Sequence, residues 1–130
     1  MEGLITRESA HDVSVTLRRL KDSLNAKGIT IFAVIDHAEG AAQAGLSLRP
    51  TVVVIFGNPK AGTPLMQASQ TVGIDLPLKM LIWEEEGGKT HLAYNDPAWI
   101  AARHGADAPK VVSTLSAVLA TLANEATGAN

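Results

Sequence analysis

Seven residues, Gly57-Asn58-Pro59-Lys60-Ala61-Gly62-Thr63, make the clearest offer of chemistry in the chain. They follow the apolar run Thr51-Val52-Val53-Val54-Ile55-Phe56 and lead into Pro64-Leu65-Met66, which carries helix-start signals. The first N–H groups of a helix lack intrahelical partners and carry the positive end of its dipole, so a loop placed there can hold an anion. Gly57 and Gly62 are spaced as in a phosphate-binding P-loop, but Thr63 stands where that motif requires lysine, and Lys60 lies inside the loop. A nucleoside-triphosphate site is therefore excluded. A small polar or anionic ligand held by Asn58, Lys60 and Thr63 remains, against a purely structural turn.

Asp36-His37 closes another apolar run, residues 29–35. One reading is a polarised imidazole for acid–base catalysis or metal ligation. Adjacent side chains tend to point apart, however, so Asp36 serves more simply as the cap of a following helix, with His37 at the surface. Parallel strands would bring Asp36 and His37 to the same end of the sheet as Asn58; antiparallel strands would separate them. The link over residues 37–50 is long enough for either. No two histidines have the three- or four-residue helical spacing of a metal pair, and no serine sits in a G-x-S-x-G context. No metal site is expected. With no cysteine in the chain, disulfides, thiolate catalysis and zinc fingers are excluded.

Composition narrows the class further. A chain of 130 residues with 46% apolar and 18% charged residues is expected to form one globular domain. The net charge of -2 and the lack of a basic stripe argue against a nucleic-acid partner. No secretory leader and no apolar run of membrane-spanning length is visible, so a cytoplasmic location without membrane contact is expected.

These residues need a scaffold, and the periodicities supply one. Leu4 and Ile5 suggest a short first strand. Ser9 and Asp12 have capping-box spacing before a helix over 10–27, with Val13, Leu17, Leu20 and Leu24 on one stripe and Gly28 at its end. Strands are expected over 29–35, 51–56, 78–85 and 89–94, and short helices over 64–71 (Thr63 as cap) and from Asp96-Pro97 to Arg103. Gly87-Gly88 reads as a two-residue hairpin turn pairing Glu84 with His91 and Trp83 with Leu92. Val111, Leu115, Val118, Leu119 and Leu122 mark a second long helix before a frayed tail over 127–130. The order predicts an α+β domain, a mostly antiparallel sheet with two long helices on one face.

Three of the strands are apolar on both faces, and two helices cover only one. The short insertions Ala38 to Gly45 and Pro64 to Thr71 are one candidate cover; a second copy of the chain, giving a homodimer, is the expected one.

Taken together, Asp36-His37, Gly57-Asn58-Pro59 with Gly62-Thr63 and Leu65-Met66, Asp75-Leu76-Pro77-Leu78, and Tyr94-Asn95-Asp96-Pro97 resemble the "domain of unknown function 302" family over residues 4–125. That resemblance implies a small, commonly dimeric bacterial or archaeal α+β protein, similar in topology to the TATA-binding-protein-like fold, and supplies no reaction or cofactor. The expectation is a cytoplasmic homodimeric binding module for a small polar or anionic ligand, with Asp36, His37, Asn58, Lys60 and Thr63 as candidate contacts. An enzyme using Asp36 and His37 as an acid–base pair, or a structural subunit with no ligand, are the alternatives.

Overall fold

The stripe Val13, Leu17, Leu20 and Leu24 folds as α1 (Val13–Ala26) in the computed structural model, which describes residues 1–128. Asp12, not Ser9, is its cap: the Asp12 carboxylate accepts the Val15 N–H at 2.8 Å. Ser9 instead bonds the Thr16 hydroxyl at 2.7 Å, so the helix opens later than its spacing with Asp12 suggested. Gly28 closes the helix with φ +68°, the left-handed turn expected there.

The second long helix is α5 (Pro109–Thr127), whose buried Leu119 and Leu122 pack beside α1 and onto the sheet. Lys27 bridges the two helices to Glu125 at 2.8 Å, and Ser23 also donates to that carboxylate. Thr127, expected in a frayed tail, is the buried last residue of α5; positions 129 and 130 lie outside the described residues.

Five strands, β1 (Leu4–Glu8), β2 (Thr30–Asp36), β3 (Thr51–Gly57), β4 (Leu78–Glu84) and β5 (Thr90–Asn95), pair antiparallel in the order β1-β5-β4-β3-β2. The fold is thus α+β, with both long helices on one face of the sheet. Val52, Val54, Phe56, Met80, Ile82 and Leu92 point to that face and form the main core with Leu20, Leu24 and Leu122. Val53, Ile55, Leu81 and Trp83 point the other way, are only partly buried and belong to neither apolar core. So β3, expected to be buried on both faces, is buried on one.

The hairpin differs from its expected register by one residue. Trp83 pairs with His91 and Glu84 with Thr90, because the loop holds three residues rather than two. The Gly88 N–H donates to the Glu85 carbonyl at 2.9 Å, and Gly88 takes φ +90°. As a result His91 meets Glu85, Nε2 to Oε2 at 2.8 Å, instead of Glu84. A side chain at Gly88 would touch nothing within 4 Å, so Gly88→Ala tests the backbone conformation alone. We expect it to lower stability by about 1 kcal/mol in urea unfolding.

Two local features set up the site. On β2, residues Ile31 and Ala33 oppose the adjacent Phe56 and Ile55 of β3, so Phe32 is an extra residue in a β-bulge. The bulge switches the alternation: Ile31 and Val34 take the helix side, while Ala33 and Ile35 take the open side. After β3 the chain enters α3 (Pro59–Ala68) at once, with Asn58 as cap and Pro59 in its first turn. The expected start at Thr63 is five residues too late, and Pro64 lies inside the helix. The 3₁₀ helix Gln70–Asp75 and α4 (Pro97–Arg103) complete this end of the domain. There Leu65, Val72, Ile100 and Leu115 form a second, smaller core.

Candidate functional site

Where β3 ends at Gly57, the next two elements fold back and leave a hollow beside the sheet. It is a cavity of about 280 Å³, walled by α3, the segment 73–78, Leu115 of α5 and the bulged Phe32. Its wall is mostly apolar: Met66, Leu76, Pro77, Leu78 and Leu115 supply side-chain carbon. Asn58 and Thr63 contribute polar groups to it. Phe32 lies over Gly57, where a Cβ would be in van der Waals contact with the ring, 3.4 Å from Cε2. Phe32 itself is 53% exposed.

The start of α3 spends its N–H groups internally. Pro59 has none, the Lys60 N–H donates to the Asn58 side chain at 2.9 Å, and the Ala61 N–H donates to the Asn58 carbonyl at 2.9 Å. The Gly62 N–H also reaches the Asn58 carbonyl, at 3.1 Å. The expected anion-holding loop is therefore the first turn of a capped helix. Lys60 is exposed and is not part of the cavity wall, whereas Asn58 and Thr63 are.

Asp36 and His37 lie elsewhere. Antiparallel pairing sets Asp36 opposite Val52 and Thr30 opposite Gly57, so Asp36 and Asn58 are at opposite ends of the sheet. The Asp36 carboxylate caps α2 (His37–Gln43), accepting the Glu39 N–H at 2.9 Å, and His37 is exposed. Asp36 borders a second, wider hollow with Asp12, Glu39 and Glu84, in whose wall His37 has no part. Asn58 and Thr63 both line the cavity, Lys60 bonds Asn58 through its backbone but stays outside the wall, and Asp36 and His37 lie at the other end of the sheet.

A cluster that the sequence did not reveal holds the 3₁₀ helix in place. Arg103 Nη1 donates to both Asp75 oxygens at 2.8 and 2.9 Å, and His104 Nε2 lies 2.6 Å from Asp75 Oδ2. The other ring nitrogen of His104 is 2.8 Å from the Thr71 hydroxyl. Desolvation pushes the Asp75 carboxyl up, but the bonds and charges of His104 and Arg103 together outweigh it and hold the pKa below the ordinary value. The order hydroxyl, imidazole, carboxylate is that of a nucleophilic triad. Here, though, Arg103 draws on the same carboxylate and Thr71 stands outside the cavity wall. The group acts as a clamp between the 3₁₀ helix and α4. No sequence signal marks it, because Asp75 and His104 are 29 positions apart.

A five-stranded antiparallel sheet backed by two long helices, with a mainly apolar cavity at one strand end, defines a small α+β domain. The family model described as "Domain of unknown function DUF302" matches residues 5–122, and the chain belongs to this family. An uncharacterized conserved DUF302 protein from Bacillus stearothermophilus shares the fold, with a TM-score of 0.84 at 20% identity, over 97% of this chain and 99% of that one. The chain is also 49% identical over 102 residues to a protein named "Fluoride-specific ion channel FluC 1" in Brucella suis biovar 1 (strain 1330). A FluC 1 protein of Brucella abortus biovar 1 (strain 9-941) matches equally, at 49% over 102 residues. The match takes in 78% of this chain but only 40% and 38% of those two proteins. Among the described residues, no helix is long and apolar enough to cross a membrane.

Proposed function

We propose that this protein is a homodimeric binding module whose small ligand enters the cavity at the β3–α3 junction, with Asn58 and Thr63 at the ligand's polar end. The observation that carries the reading is the cavity itself, a concave and mostly apolar space bordered by the polar residues Asn58 and Thr63. Its position, where a core strand gives way to a capped helix, holds those groups on rigid elements. The acid–base reading of Asp36 and His37 has no comparable support, since one is a helix cap and the other faces solvent. Fluoride enters only through the name of the longer relatives, and an apolar wall offers a strongly hydrated anion little in place of its water.

The uncovered sheet face supports the dimer. Five strands ~4.8 Å apart and about six residues long span roughly 24 by 20 Å, or about 480 Å² in projection. Side-chain relief raises the accessible area toward the ~800 Å² per partner of a standard interface. We expect native mass spectrometry of the protein as purified, with no ligand added, to give the mass of two chains carrying a discrete small adduct. A single-chain mass at micromolar concentration would overturn the dimer.

A further inference from the structure

Resting on the binding reading above, we propose that the cavity selects a small, uncharged hydrocarbon body, such as a medium-length alkyl chain, rather than a polar or anionic molecule. Four observations carry this. First, the wall between α3, Leu76-Pro77 and Leu115 is carbon, and the polar side chains that border the cavity are those of Asn58 and Thr63. Second, the N–H groups of Lys60, Ala61 and Gly62 are already bonded to Asn58, so the helix start has little to give an anion. Third, no charged side chain among the described residues lines the cavity, and Lys60, inside the first turn of α3, stays outside its wall. A cavity built for an anion would present such groups, because desolvating a charged ligand without replacing its hydrogen bonds opposes binding. Fourth, the bulge lifts Phe32 out of the β2 alternation and leaves it 53% exposed beside the cavity, where a bound hydrocarbon would cover the ring.

Volume sets the length. At about 30 Å³ for a group the size of water or methylene, the 280 Å³ cavity holds roughly nine such groups. Glycines shape the space. A Cβ at Gly62 would lie 3.6 Å from Leu76 Cδ1, and one at Gly73 would lie 3.4 Å from Met66 Sδ, so a larger side chain at either meets the wall of the cavity.

The test is a titration of the full chain with the linear 1-alkanols from butanol to dodecanol, followed by amide chemical shifts, with inorganic phosphate titrated separately. Affinity is expected to rise roughly fourfold per methylene and to level off near nine carbons, with shifts at Phe32, Gly57, Gly62 and Gly73. Gly62→Leu should weaken nonanol binding at least tenfold. Should that variant lose its dispersed spectrum, Phe32→Ala serves in its place, because that ring is half exposed, and it should weaken binding several-fold. Affinity independent of chain length would overturn the proposal. Saturable phosphate shifts confined to 58–63, with no alkanol response, would also overturn it while leaving the binding module standing. Silence toward both probes would remove this proposal and the site in "Proposed function" together.

Discussion

For the homodimer proposed above, replacing Leu81 with lysine is expected to turn two-chain particles into single chains without unfolding them. Leu81 pairs with Val53 on one side and Ala93 on the other, which places it near the middle of the face the helices leave bare. In a symmetric pair the change brings two ammonium groups into the contact at once. Each would be taken from water with no partner carboxylate, at a cost of several kcal/mol. Dimer affinity should fall on the order of a thousand-fold or more, given 1.4 kcal/mol per factor of ten. The isolated chain should tolerate the substitution, because Leu81 is only partly buried there and lies outside both cores. Sedimentation equilibrium gives the mass and thermal unfolding checks the fold. A Leu81→Lys protein that still sediments as two chains would show that this face is not the contact.

Asp75→Ala should cost about 2–4 kcal/mol in chemical unfolding, because it strands one nearly buried imidazole and one guanidinium. The loss reaches the cavity through the neighbouring Gly73, Leu76 and Pro77, so alkanol binding should weaken in parallel. A pH signature separates this clamp from mere packing. The folded Asp75 pKa lies below its unfolded value, so its stabilisation is complete above the unfolded pKa, near 4, and is lost as pH falls through the folded one. Stability of the parent chain should therefore drop with acid below about pH 4, more steeply than that of Asp75→Asn. Glu125, whose carboxyl is lowered by hydrogen bonds from Lys27 and then Ser23, should leave a residual acid slope in both proteins. Identical slopes for the parent and Asp75→Asn would dismiss the clamp.

The elements were readable where one signal had no competitor. The stripes of α1 and α5, the glycine closing α1 and the Asp96-Pro97 start of α4 all stand as their spacing implied. Errors fell where two signals of equal quality sat close together. Asn58-Pro59 and Thr63-Pro64 are both a cap followed by proline, and the chain uses the first. Gly87-Gly88 suits a two-residue turn as well as a three-residue one, and only the positive φ of Gly88 decides the register. The cavity was legible only in part. Its strand–helix junction could be found from local pattern, but its character could not. What makes it apolar is the convergence of Phe32, Met66, Leu76 and Leu115 from four separate segments, one of them thrown out of register by a bulge.

The pairing of β1 with β5, and of α1 with α5, ties the opening third of the chain to its last third. Arg7 donates to Asn124, the Ala10 N–H reaches the Thr127 carbonyl at 2.8 Å, and Lys27 meets Glu125. For a polypeptide made from its N-terminus, this has a consequence at the ribosome. The first strand has no neighbour until the residues of β5 are made, and α1, though it also touches β2 and β4, lacks its main packing partner until α5 has emerged. Closure therefore waits for α5. Until then apolar surface of β2 and β3 stands open, which exposes the partly folded chain to aggregation.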